Sequence, residues 1–204
     1  MNRREITDLL ISWITISIAF AWIQVNVFSP NGVTDLAQAL ITMLVAVGTG
    51  FVLHELAHKY VAIHYGAHAE FRAWREGLIL AIVLAVTVGF VFAAPGAVYV
   101  LGNRITVKQN GIISLAGPVT NLAIVLVFGL LLGILHPAKG LVLDTILSVM
   151  HVNFFLAAFN MIPIFPLDGS KVFVWSKGAW LATIGVAAAG VVFFPIIAGI
   201  FYSL

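Results

Sequence analysis

Charge is nearly absent from this chain over stretches long enough to cross a bilayer, and nothing else constrains its fold as strongly. Of 204 residues, 62% are hydrophobic and only 9% are Asp, Glu, Lys or Arg, against roughly 25% charged in a soluble domain. The deficit runs along the whole chain, so the expected protein is immersed in lipid rather than held by one anchor. A span needs about 20 mostly apolar residues. Five windows qualify: 8–28, 36–63, 111–135, 141–163 and 179–203. Met1-Asn2-Arg3-Arg4 could open a signal peptide, but the run that follows is long enough to span and others come after it, so an uncleaved first span is expected. The basic residues cluster between apolar runs, as in cytoplasmic loops, and nothing has the form of a nucleic-acid-binding surface.

A sixth apolar run, 78–94, is rich in β-branched residues and leads into Ala94-Pro95-Gly96-Ala97, a breaker sequence. The positive-inside rule tests whether it crosses. With a cytoplasmic N-terminus and no crossing at 78–94, the residues Arg3, Arg4, Lys59, Arg72, Arg75, Arg104, Lys108, Lys171 and Lys177 fall inside and Lys139 alone falls outside. With a crossing, Arg104, Lys108, Lys171 and Lys177 move out while Lys139 moves in, and the asymmetry is largely lost. The expectation is five crossings, with 78–94 entering the membrane and returning through an extended stretch at 95–107. Non-helical backbone at that depth must be buried in protein or line a watery cavity. Pro95 and Gly96 are therefore candidates for the wall of a site.

There is no cysteine, so any metal must be bound by His, Asp or Glu. Within the second span lies His54-Glu55-Leu56-Ala57-His58. On a helix the two histidines are one turn apart on one face and can reach a single ion, with Glu55 beside them to take a proton from a water. With six histidines in the chain, the chance of this pattern arising at random is on the order of 0.005 from residue frequencies. The plainer alternative is an interfacial helix end, but three ionisable groups within five residues of a span are costly without a use. A zinc hydrolase needs a third ligand and one open position.

The second candidate segment is Asn160-Met161-Ile162-Pro163-Ile164-Phe165-Pro166-Leu167-Asp168-Gly169. Its prolines stop a helix and Asp168-Gly169 signals a turn. Asp168 reaches the depth of His54 only if spans 36–63 and 141–163 run in the same direction, which requires an odd number of crossings between them. That condition gives the same five-crossing topology as the charge count.

Together these segments resemble the site-2 protease family of intramembrane zinc metalloproteases. That family pairs an H-E-x-x-H helix with a later N-x-x-P-x-x-P-L-D-G segment. Ala116-Gly117-Pro118-Val119-Thr120-Asn121 is similar to its A-G-P-x-x-N motif, and Pro95-Gly96-Ala97-Val98 falls where it carries a membrane-embedded β-hairpin. The resemblance covers about residues 36–178, and the long run at 78–94 departs from it. It implies an all-α polytopic membrane protein of five to six transmembrane helices, with a re-entrant or β-hairpin segment near 78–107. Residues 1–204 would form one transmembrane protease domain, with spans 8–28 and 179–203 flanking the core and no soluble regulatory domain.

The implied cofactor is one Zn²⁺ held by His54, His58 and Asp168, with Glu55 as catalytic base. The implied partners are a transmembrane protein substrate and the lipid bilayer, with no nucleic acid. The implied location is the cell membrane, with the N-terminus and metal site towards the cytoplasm. Asn121, Asn160, Pro95 and Gly96 are candidates for substrate or transition-state contact, although helix-to-helix hydrogen bonding is the plainer role for both asparagines. Asn153 and His151 have structural hydrogen bonding as the plainer role and support of the ligands as the alternative. His64 and His68 repeat the four-residue spacing without a following Glu and are expected in an aqueous segment. An inactive partner-binding homologue and a metal transporter are the rival readings, but a transporter gains nothing from an unliganded Glu55.

Overall fold

Asn2 starts the first helix by accepting the Glu5 backbone N–H at 2.8 Å, and the apolar run then carries α1 over Arg3–Gln24. The computed structural model describes residues 1–92, 95–101 and 105–203. The breaker residue Ala94 and the charge of Arg104 lie outside these residues. After α1 come α2 (Gly32–Val47), a π-helical turn (Gly48–Val52) and α3 (Leu53–His64). These three form one continuous apolar element of 33 residues. Strand β1 (His68–Ala73), helix α4 (Arg75–Thr87) and strand β2 (Gly96–Leu101) follow. The chain ends with α5 (Val107–Leu135), α6 (Leu141–Asn160), α7 (Asp168–Trp175) and α8 (Lys177–Ser203).

Among the described residues, five helical elements are long and apolar enough to cross a membrane: Arg3–Gln24, Gly32–His64, Val107–Leu135, Leu141–Asn160 and Lys177–Ser203. The protein is thus an all-α multi-pass membrane protein with a small two-stranded sheet. Four of the five begin two to five residues earlier than their apolar windows, as flanking residues join the helix, while α6 begins at Leu141 as its window does. At α5, Thr106 accepts the Gln109 N–H while the Gln109 side chain accepts the Thr106 N–H.

The run at 78–94 becomes a helix of 13 residues, about 20 Å long by its rise against a hydrocarbon core of about 30 Å. Its Leu78, Ala81 and Ala85 are buried as it packs on α1, while Ile79, Val83 and Val86 are exposed. A helix apolar on every side and covered on one suits lipid on the other. The sheet differs from expectation. β2 pairs antiparallel with β1, from His68 opposite Leu101 to Ala73 opposite Gly96, so the hairpin begins at residue 68, ahead of the expected 78. Gly96 is required here, since a Cβ would lie 2.6 Å from the Phe71 ring. Phe71 in turn packs edge-on against Phe51 of the π turn at 5.6 Å, tying the sheet to the long helical element.

One expectation needs correction. Lys59 counts among the inside charges in the orientation argument, but it is buried on α3. Its ammonium pairs with Glu5 of α1, which also accepts the Phe71 N–H at 3.2 Å. A charge neutralised inside the bundle carries no vote on orientation.

Candidate metal centre

Leu53 begins α3 directly after the π turn, which places His54 and His58 facing α5 and α7. The His58 Nδ1 lies 2.7 Å from the Ile113 backbone oxygen. A carbonyl only accepts, so Nδ1 carries the proton. Pro118 inside α5 has no N–H to give to the Ser114 carbonyl, and this weakened turn is where Ile113 offers its oxygen.

The His54 tautomer is set through a longer chain of hydrogen bonds. Asn153 Nδ2 donates to Val149 O at 2.8 Å, and Asn121 Nδ2 donates both to Asn153 Oδ1 at 2.8 Å and to Gly50 O at 2.8 Å. Two backbone carbonyls thereby decide which end of the Asn121 amide faces His54. It is Oδ1, 2.6 Å from His54 Nδ1, so that nitrogen also carries a proton. Gly50 permits the approach, as a Cβ there would lie 2.9 Å from Leu156 Cδ1 and 3.3 Å from Asn153 Nδ2.

Both imidazoles consequently turn an Nε2 lone pair towards one point. Asp168 Oδ2 is 3.3 Å from His54 Nε2 and 3.0 Å from His58 Nε2. Asp168 gets there because Pro163 and Pro166 end the course of α6 and α7 begins at Asp168 itself. Gly169 lets that turn press onto the Met161 backbone, where a Cβ would collide.

Lone pairs from three groups facing one another are stable only around a cation. Ligand atoms of His54, His58 and Asp168 all lie within 4.8 Å of one another, and the point between them is kept free of side chain. At Gly117 a Cβ would sit 2.5 Å from both Nε2 atoms. Nitrogen–nitrogen–carboxylate ligation with room for a fourth ligand fits Zn²⁺.

A cavity of about 120 Å³ opens beside this point. Glu55, Pro95, Gly96, Val98, Asn160 and Lys171 line it. Glu55 is buried, and its Oε2 has no hydrogen-bond partner among the described residues. Asn160 reaches the cavity with its Nδ2 donated back to Leu156 O at 3.0 Å. Asn121 differs from the expectation of substrate contact: it is fully buried, does not line the cavity, and spends its amide on His54, Asn153 and Gly50. His151 stacks on Phe194 at 5.2 Å, His64 packs against Tyr65, and His68 lies 3.3 Å from Glu70 on the sheet. None of these three joins the cluster.

Five apolar helices around two histidines of an H-E-x-x-H turn and a converging aspartate define a multi-pass membrane protein with a hydrolase-type metal centre. The chain is 43% identical over 189 residues, 93% of either protein, to "Putative zinc metalloprotease MJ0611" of Methanocaldococcus jannaschii. It is 30% identical to "Putative zinc metalloprotease Rip2" of Mycolicibacterium smegmatis over 74% of this chain and 62% of that one. It is 31% identical to "Putative zinc metalloprotease YwhC" of Bacillus subtilis over 65% of this chain and 66% of that one. No family model and no solved structure matches. The chain belongs to the site-2 protease family of zinc metalloproteases, and zinc is the metal its His-His-Asp set is suited to hold.

Proposed function

We propose that this protein is an intramembrane endopeptidase that hydrolyses peptide bonds in or near transmembrane segments of membrane proteins. The observation that carries this reading is the Glu55 Oε2: a buried carboxylate oxygen without a partner, on the cavity that the metal ligands share. Glu5 Oε2 is likewise unpartnered, yet Glu5 is held by Lys59 and lies off that cavity, as a structural carboxylate does. One that takes up and returns a proton must be free to meet water.

In this reading His54, His58 and Asp168 are the zinc ligands. Zinc bound there supplies a more acidic water and polarises the scissile carbonyl. Glu55 takes the proton of the attacking water and passes it to the leaving amine. His58 is held by the Ile113 carbonyl and His54 by Asn121, so neither imidazole can turn away during turnover. Gly96 and Val98 present β2 to the cavity, and on its far side from β1 the strand has no partner among the described residues. An unwound substrate segment would add there as a further strand, with Pro95 and Asn160 beside it. Substrate helices reach the site from the bilayer, the N-terminus lies in the cytoplasm, and the cell membrane is the protein's location. What supports this orientation is the preponderance of Arg and Lys in the segments assigned inside.

Glu55→Gln is the test. The variant should bind one zinc per chain, as wild type does, and cleave a single-span substrate in proteoliposomes about 10²–10⁴-fold more slowly. Undiminished cleavage would refute the role of Glu55, and cleavage that never required zinc would refute the ligand set.

A further inference from the structure

We propose that Lys171 is an additional catalytic residue, donating a hydrogen bond to the carbonyl oxygen of the scissile peptide as water attacks it. The proposal rests on the endopeptidase reading above. Lys171 stands one turn after Asp168 on α7 and lines the same cavity as Glu55 and β2. It is the one lysine or arginine among the described residues that does so. Asp168 divides its two oxygens. Oδ2 faces both imidazoles, and Oδ1 faces the Lys171 ammonium.

The Lys171 Nζ lies 3.9 Å from Oδ1, beyond the 2.7–3.2 Å of an N–H···O hydrogen bond, and Lys171 makes no hydrogen bond within the described residues. Its three N–H donors are unspent. Its side chain is 34% exposed, which places the charge at the cavity mouth, within reach of a guest and not locked beneath it.

The charge balance gives those donors a use. When water adds to a peptide carbonyl, the neutral oxygen becomes an oxyanion while Glu55 is neutralised by the proton it accepts. One negative charge therefore moves from Glu55 towards the substrate oxygen. A mobile ammonium beside the carboxylate that holds the metal follows that displacement with little reorganisation, because its flexible stem swings a compact charge. No bond forms or breaks at Lys171; it only donates. The competing role is a passive one, an i,i+3 neutraliser of Asp168.

The two roles separate in the full-length protein, with an apolar peptide and its phosphonamidate analogue as probes. The analogue carries a tetrahedral anion at the scissile position, so its binding reads oxyanion stabilisation directly. Lys171→Met should bind one zinc with affinity within about threefold of wild type. It should bind the parent peptide within about threefold too, yet lose roughly 100-fold in affinity for the analogue, a loss of the size seen when one oxyanion donor is removed. Its kcat should fall by a similar factor with KM little changed, and Lys171→Arg should recover most of both. A parallel fall in zinc and analogue affinity would establish the passive role and overturn the proposal. So would unchanged analogue binding, or a wild type that binds the analogue no better than the peptide. Glu55→Gln assayed alongside keeps the readings apart: if it is inactive while Lys171→Met is fully active, only the role of Lys171 falls.

Discussion

Helix α3 carries two buried charged clusters, one turned towards α1 and the other towards α5 and α7, and they balance their carboxylates differently. On the first side Glu5 meets the ammonium of Lys59, so the cation is supplied by the chain. On the second, the Oδ2 of Asp168 meets two imidazole lone pairs while the Lys171 ammonium stays 3.9 Å from its other oxygen, so the cation at that point must come from outside. The residues are one position apart, Lys59 directly after His58. What separates structure from function here is whether a buried anion brings its own counter-charge. Burial and ionisability alone do not distinguish the two sides.

Removing the chain's contribution to the metal side should have the largest effect. Asp168→Ala should reduce bound zinc to below about one-tenth of an equivalent and abolish cleavage, because two histidines alone do not make a zinc site. Gly117→Ala should do the same without changing any ligand residue, since its methyl would lie 2.5 Å from both Nε2 atoms and must displace them. Zinc analysis of the purified variants checks both, and full occupancy in Gly117→Ala would remove the argument that this glycine keeps the metal's place open.

On the other side, Lys59→Met should leave Glu5 buried without its partner and destabilise the protein by about 3–5 kcal/mol. Adding Glu5→Gln should restore most of that loss. Thermal unfolding in detergent measures it, and the folded fraction should still bind one zinc. A loss of zinc in the stable double variant would show that the two clusters are one unit. Smaller again is Asn121→Leu, which should weaken zinc binding about 10–100-fold by freeing the His54 ring without unfolding the bundle. Asn153→Leu should cost less than Asn121→Leu in the same titration, because the Gly50 carbonyl still orients Asn121.

The parts legible in the sequence were those whose partners lie close along the chain or whose pattern is periodic. His54, Glu55 and His58 declare themselves within five residues, and the spans follow from the length of each apolar run. Asp168 needed a second argument, membrane depth, and that argument held because crossings alternate. What stayed illegible depends on contacts at long range. The segment His68-Ala69-Glu70-Phe71-Arg72-Ala73 has weak strand character, and becomes β1 only because β2 pairs with it from beyond α4. Lys59 looks like a loop charge until Glu5, 54 residues away, is placed beside it. Asn153 looked structural because its route to the metal passes through another residue.

The π turn at Gly48–Val52 makes the long second span two helices in different phase. Each residue of an α-helix turns the next by about 100°, and a widened turn absorbs one extra residue without lengthening the helix in proportion. Were residues 48–52 to wind as plain α-helix with none deleted, His54 and His58 would swing by about a quarter turn relative to the face that α2 packs against α1 and α6. The chain would keep its composition, its hydropathy and its H-E-x-x-H spelling. It would aim that spelling at a different neighbour, so a motif search would still find a protease where the geometry no longer holds one.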